Sequence, residues 1–438
     1  LSGVGLVVAW WVVLRYLGEL TRVDRALELL LSVSGRVGES FRVPVWEGVG
    51  LVVASGVRAP HGWPPRHRSA YDGYAVRSSD TPGRLRLVGE APIGSSRVGL
   101  SVGPGEAVYV TTGAFLPEGA DAVVAEEKVR VEDGTVVIPV RVDRYKNIDP
   151  AGSIVREGQL LVEAGTVLSP ADVVGLLEVG VTEVEVYRRV RIAVVSTGSE
   201  LILPGDPEWT ARQVLEGKVV ATTGGLVSWF LQSYAPWVEI VDEAVLPDNR
   251  EAVAWYVKRL LPLADVVLLT GGTGPSHIDL FYQLKDEIGG EIVFRGLYVK
   301  GGRPTSAYVV DGKPVIGLSG YPLSAFHALV RLVLPFLREI GGVRRGAPPL
   351  PLVDAVLDEP IGRGRPRPVK VRVARRGDGL HATPLAGRYQ LSSANVGLVY
   401  SDGIAFVDDR EYRPGDKVQV LLLRDPRGPL FDWLPGEY

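Results

Sequence analysis

Cysteine is absent from this chain, and so is methionine. Without a thiol there is no disulfide, no thiolate nucleophile and no Cys-held zinc or iron–sulfur cluster. Histidine is scarce. There are five, and none stands in a His-Glu-x-x-His pattern. His61 and His67 fall in a Pro-rich stretch that reads as a surface loop rather than a metal site. The metal chemistry that remains is that of hard oxygen ligands, carboxylates around Mg²⁺. Excess basic charge is missing too: the formal net charge is -3. That argues against a protein that coats nucleic acid, though local basic pockets for small anions stay compatible with it. The apolar run from Val4 to Leu14 is about half the length a membrane helix needs. Arg15 and Glu19 follow it and no small-residue cleavage site appears. The expectation is a buried N-terminal strand or helix of a cytoplasmic protein with no membrane partner. The nucleotide fingerprints are lacking as well. No glycine turn carries the Gly-Lys-Ser/Thr of a P-loop, and no Gly-x-Gly-x-x-Gly stands in a dinucleotide-binding context.

What is there is an ordinary globular balance, 46% hydrophobic and 23% charged over 438 residues, enough for about three domains at roughly 150 residues each. Val23–Val33 carries apolar residues at helical spacing behind Thr21, a candidate N-cap. Over 49–143, short apolar runs (Val108–Thr111, Ala122–Ala125, Val136–Val140) alternate with Gly, Pro and Asp turns, a β-rich pattern. A connecting region, 144–187, contains a helix near Pro170–Val179. In 188–343 the pattern changes again. Ile192–Ser196, Val266–Thr270 and Val315–Leu318 are unbroken apolar strands, each running into a glycine turn, and a long helix starts near Ser324. Such strands alternating with helices predict a parallel sheet covered on both faces, with all three turns on its carboxyl edge. After a Pro-rich linker, 347–438 reads as a small β-barrel or sandwich. The fold class is thus multidomain α/β: an α/β sandwich, a β-rich domain, a linker domain that includes part of 1–48, and a C-terminal barrel.

The turns Thr197-Gly198-Ser199-Glu200, Gly271-Gly272-Thr273-Gly274 and Ser319-Gly320-Tyr321-Pro322 present backbone N–H groups with no side chain in the way, a cradle for phosphate or another oxyanion. Glycine after a strand also serves a plain tight turn, but three on one edge strengthen the functional reading. Glu200 and Asp279 lie beside these turns. A carboxylate next to a phosphate cradle is repelled by it unless Mg²⁺ lies between, although the same acids also suit first-turn helix positions. Lys300 and Arg303, three apart around glycines, suit a dianion or a solvated turn.

At this point the residues resemble a known family. Arg68-Ser69-Ala70-Tyr71-Asp72-Gly73-Tyr74-Ala75-Val76 is similar to the hallmark segment of the molybdopterin molybdenumtransferases, the family of bacterial MoeA and the gephyrin E domain. Thr111-Thr112-Gly113-Ala114, Pro117-Glu118-Gly119-Ala120-Asp121, Ser196-Thr197-Gly198-Ser199-Glu200-Leu201, the Thr-Gly-Gly loop with Asp279, Lys-x-x-Arg-Pro at 300–304, Gly320-x-Pro322-x-Ser324 and Ser392-Ser393-Ala394-Asn395 follow in the family's order. The resemblance implies a four-part elongated subunit, usually a homodimer, that carries out the last step of molybdenum cofactor synthesis. Adenylylated molybdopterin and molybdate or tungstate react with Mg²⁺ help, AMP leaves, and metal enters the dithiolene; a molybdopterin adenylyltransferase would be a partner. It also implies roles. Asp72 would reach the cleft of the other subunit. Glu200, Asp248 and Asp279 would act in the cleft, with Glu200 and Asp279 on the metal. Lys300, Arg303 and Ser324 would hold the oxyanion. Thr112, Gly113, Thr197, Gly198, Gly271, Gly272, Thr273, Gly274, Ser276, Gly320, Pro322 and Ser393 would bind the pterin nucleotide.

Three departures stand out. Ile154 and Ala221 occupy positions where the family has acids, and Tyr321 adds bulk where the pterin or the oxyanion approaches. Loss of two acids predicts a rate reduced by about 10²–10³-fold. This leaves a catalytically impaired paralogue that binds the cofactor, and a purely structural scaffold, as alternatives to an active transferase.

Overall fold

The computed structural model describes residues 20–94, 100–203, 205, 211–272, 278–377, 379–385, 387–390 and 395–426. The apolar segment at 4–14 lies outside them.

The architecture is the expected mixture of an α/β layer, a β-rich domain and a closed C-terminal barrel. Six strands form the central sheet, in the order Val238–Leu246, Val190–Thr197, Val266–Gly271, Lys313–Leu318, Ser306–Val310, Glu291–Phe294. The first three pairings in that order are parallel: Val190–Thr197 with both neighbours, and Val266–Gly271 with Lys313–Leu318. The last two strands turn antiparallel, an edge that the apolar runs alone did not announce. Alternation explains why the parallel strands are apolar throughout. Ile192, Val194, Val266, Leu268, Ile316 and Leu318 point into one core. Ala193, Val195, Val267, Leu269 and Val315 point into the other. Helices Thr222–Tyr234 and Pro322–Ala328 cover the first face through Phe230, Leu231, Leu323 and Phe326. Helices Arg250–Leu260 and Ile278–Ile288 cover the second through Val253, Val257, Phe281 and Leu284. Each such side chain contributes about 1.5–3 kcal/mol when taken from water.

Helix boundaries follow local chemistry, with two corrections. Val23–Val33 is helical, but Arg22 occupies the N-cap without a side-chain bond. Thr21 is drawn instead into backbone pairing, donating to Gly296 O at 2.9 Å and accepting from Tyr298 N at 2.8 Å. The long helix begins at Pro322, not Ser324, and changes to a π-type turn over Leu329–Val333 before Leu334–Ile340. Pro335 lacks an N–H and its ring crowds the carbonyl one turn back, so the helix widens there. Pro170–Glu178 starts on a full capping box between Ser169 and Asp172.

Residues 352–422 close a five-strand barrel. Val369, Val371, Val373, Val418 and Val420 fill it. Ile404 and Leu421 face outward and join the core of the α/β layer. The barrel is therefore docked on helix Pro322–Ala328. The β-rich domain is a six-strand sheet over 73–138, and a small sheet of Ser40–Pro44, Glu183–Tyr187 and Val52–Val53 lies in the connecting region. Among the described residues no helix is long and apolar enough to cross a membrane.

Candidate functional site: two clefts on the α/β layer

Parallel pairing puts four strand ends on one edge. Thr197 lies opposite Leu246 and Gly271, and Thr270 opposite Leu318. The chain leaves Val190–Thr197 toward one neighbour and returns on the other side, so the crevice at this edge is a topological switch point. A cleft of about 570 Å³ opens there, lined by Thr197, Glu200, Asp248, Gly271, Gly272 and Gly320 among others.

Backbone geometry explains the glycines. Gly271 has φ +86°, and a Cβ on it would sit 2.3 Å from the Thr197 carbonyl oxygen. Only glycine lets these two turns meet. The turns are then stitched by side chains. Ser196 Oγ and Thr270 Oγ1 share a buried bond of 2.9 Å, and Thr223 Oγ1 donates to Gly320 O at 2.7 Å. Asp248 N donates to Ser199 Oγ at 3.2 Å. Asp248 Oδ1 is buried and has no hydrogen-bond partner among the described residues. A carboxylate oxygen left so is costly unless a donor or cation arrives. Two helices point their N-termini at this edge without a side-chain cap, Thr222–Tyr234 behind Ala221 and the long helix behind Tyr321. Their first N–H groups and the helix dipoles favour an anion.

A second cleft of about 250 Å³ lies between helix Pro322–Ala328 and the barrel, lined by Lys300, Ser324, Arg367 and Gln390 among others. Gly301 has φ +74°, and a Cβ there would lie 2.4 Å from Ser324 Oγ. The glycine thus lets the lysine turn press against the helix. Lys300 N also donates to Pro366 O at 2.8 Å, which ties that turn to the barrel. Beside this junction His327 is 3% exposed, stacks on Phe406 and keeps Nδ1 without a partner among the described residues. Burial, aided by the Arg331 charge, pushes its imidazole down to about 4.

Asp72 sits on the β-rich domain, exposed. Thr112 holds it through its backbone N–H at 2.6 Å and its hydroxyl at 2.9 Å. Those bonds keep its carboxyl below the usual range, the backbone one most strongly.

The structure therefore sorts the expected residues. Thr197, Glu200, Asp248, Gly271, Gly272, Gly320 and Pro322 come together in the first cleft. Gly198 is buried in the turn beneath it. Lys300 and Ser324 line the second cleft. Arg303, half-buried, lines neither. Asp72, Thr112 and Gly113 line neither cleft. Asp279 opens helix Ile278–Ile288, with its side chain outside the described residues. Thr273, Gly274, Ser276 and Ser393 also lie outside them. Among the described residues no three His, Asp or Glu gather as a metal site. Of the departures, Ala221 lines the first cleft and Ile154 is 57% exposed in the connecting region.

Sequence reasoning missed Asn395 and Arg367. Asn395 reaches the first cleft from the barrel side, its Oδ1 buried and without a partner among the described residues. Its signal was its place at the end of Ser392-Ser393-Ala394-Asn395. Arg367 opens a barrel strand inside Arg365-Pro366-Arg367-Pro368, where a cation among prolines gave no hint of the helix it would face.

Comparison with known proteins gives two family matches, the MoeA N-terminal region (domain I and II) over residues 21–180 and the probable molybdopterin binding domain over residues 193–339. The molybdopterin molybdenumtransferase of Staphylococcus aureus (strain COL) is 27% identical over 382 residues, covering 85% of this chain and 88% of that protein. The enzyme of the same description from Nostoc sp. is 27% identical over 394 residues, 88% of each. The crystal structure of the molybdopterin biosynthesis MoeA protein from Pyrococcus horikoshii superposes with a TM-score of 0.74 at 28% identity, covering 93% of this chain and 100% of that one.

Proposed function

This chain belongs to the MoeA family of molybdopterin molybdenumtransferases, and from that we propose that it inserts molybdate or tungstate into adenylylated molybdopterin with release of AMP. The carrying observation is the first cleft: glycine turns, two helix N-termini and the carboxylates of Glu200 and Asp248 on one sheet edge. The backbone cradle suits the pyrophosphate link of the nucleotide.

The unpartnered Asp248 Oδ1 beside Glu200 fits a hard divalent cation. Mg²⁺ takes one or two carboxylates and completes its shell with water and substrate phosphates. When bound, it would neutralise charge on the phosphates as the anhydride breaks. The chain's own residues do the rest. Glu200 and Asp248 would hold the cation and accept a hydrogen bond from a water that attacks one phosphorus of the pyrophosphate link; the bond to the bridging oxygen breaks, and the helix N-termini stabilise the charge that develops on the departing phosphate, leaving AMP and the pterin phosphate. In the second cleft Lys300, Arg367 and the Ser324 hydroxyl have the charge and reach to hold the tetrahedral oxyanion. Helix Pro322–Ala328 borders both clefts, through Pro322 in the first and Ser324 in the second, so the oxyanion would wait beside the same helix start as the pterin.

The reading extends to partners. Asp72 is exposed and does not line its own cleft, which suits a homodimer in which it completes the neighbour's site. A molybdopterin adenylyltransferase that hands over its product is the natural companion, and the cytoplasm the natural compartment. Purified protein with Mg²⁺, molybdate and adenylylated molybdopterin is expected to release AMP above a no-enzyme control; no release would overturn the proposal. Mixing Asp72→Asn with Glu200→Gln subunits should restore part of the activity that each lacks alone, and no restoration would remove the shared site.

A further inference from the structure

Tyr321 occupies an unusual place. Its backbone is pinned: its N–H donates to Ser319 Oγ at 3.2 Å, and its carbonyl accepts from Ser324 N at 3.1 Å and Ala325 N at 3.0 Å. Its ring is 56% exposed and lines the first cleft. Among the described residues no ring, cation or hydrogen-bond contact involves that ring. A large aromatic face carried on a pinned backbone at the cleft, with no described residue stacked on it, is a platform open to a flat ligand. Asn395 lines the same cleft from the barrel side, its carboxamide oxygen buried and unpaired among the described residues. A carboxamide offers a donor and an acceptor side by side, the complement of the edge of a purine or pterin.

We infer that Tyr321 and Asn395 form the heterocycle subsite of the first cleft: the tyrosine ring stacks on the flat ring system of the substrate and the asparagine pairs with its edge. The inference rests on the transferase reading for the cleft but concerns recognition, not turnover. It also reverses the meaning of Tyr321 from an obstruction to a contact. Adenine and pterin share the chemistry, and the test separates them.

The experiment uses the full chain and three probes: AMP, neopterin and ribose 5-phosphate, the last carrying sugar and phosphate without a base. Stacking on an aromatic side chain is sequence-tolerant and of substantial size, so Tyr321→Ser should weaken AMP or neopterin binding by about 10-fold or more. Tyr321→Phe should retain wild-type binding, and ribose 5-phosphate should not discriminate among the three proteins. Asn395→Ala should weaken the same heterocycle by a few-fold. Loss for AMP alone places the adenine on Tyr321, and loss for neopterin alone places the pterin there; either supports the inference. Unchanged binding of both heterocycles by Tyr321→Ser, or equal loss of ribose 5-phosphate, would overturn it. Because these are binding ratios, they stand or fall separately from AMP release. Circular dichroism checks folding, which an exposed side chain should not disturb.

Discussion

The two clefts share one helix and differ in how they are made. The first is built at the ends of consecutive strands of one sheet, from backbone turns and short side chains. The second is a seam between the α/β layer and the barrel, closed by long cations from 300 and 367. The difference teaches where each should be vulnerable. A cleft of backbone amides and carboxylates depends on charge at fixed points. A seam depends on docking, and docking depends on the buried groups that face it.

Removing charge from the first cleft should have the largest effect. Glu200→Gln and Asp248→Asn are each expected to slow AMP release by about 10²–10³-fold. The concentration of molybdate for half-maximal rate should barely move. Steady-state kinetics with varied molybdate checks both; an equal change in oxyanion dependence would merge the two clefts into one functional site. Asp248→Asn should not lower the unfolding midpoint, since its Oδ1 has no partner to lose.

Acid should break the seam next. His327 lies against Phe406 of the barrel and titrates at about 4 in the folded chain, against about 6.5 unfolded. The unfolded chain therefore binds a proton that the folded chain refuses between those values. Stability is full above pH 6.5 and falls by roughly 3 kcal/mol as pH drops toward 4. Denaturant midpoints measured across that window should show the fall in wild-type protein and a flatter profile in His327→Leu. Identical slopes in the two proteins would mean that His327 is not the titrating group.

The smallest change expected is in the second cleft itself. Arg367→Ala should raise the molybdate needed for half-maximal rate by about tenfold, one charged contact's worth, and leave AMP binding alone. A matching loss of AMP affinity would place the nucleotide, not the oxyanion, against Arg367.

These contrasts track what could be read in the residues. Val266–Thr270 and Ile192–Ser196 announced buried parallel strands because no polar residue interrupts them, and the glycines after them announced a shared edge. Ser169-Pro170 with Asp172 announced a helix start because every part of that cap is local. Thr21 looked equally good as a cap, and lost to backbone pairing with 296–298, a contact that crosses most of the chain. The antiparallel edge strands, the widened helix at Leu329–Val333 and the seam around Lys300 also depend on distant partners. Asn395 and Arg367 were invisible for that reason: nothing near them in the chain says what they face.

By itself, then, the order of residues determined the element types, the glycine turns at 197–200, 271–272 and 319–322, and the acid–anion chemistry they imply, because strand alternation, caps and turns act over a few residues. Only the tertiary structure decided that Asp248 would keep an unpaired oxygen, that Lys300 and Ser324 would leave the first cleft for a second, and that Tyr321 would stand open at its mouth. Those outcomes come from packing between segments far apart in the chain, where the cost of burying a polar group or bending a backbone is set by whatever arrives on the other side.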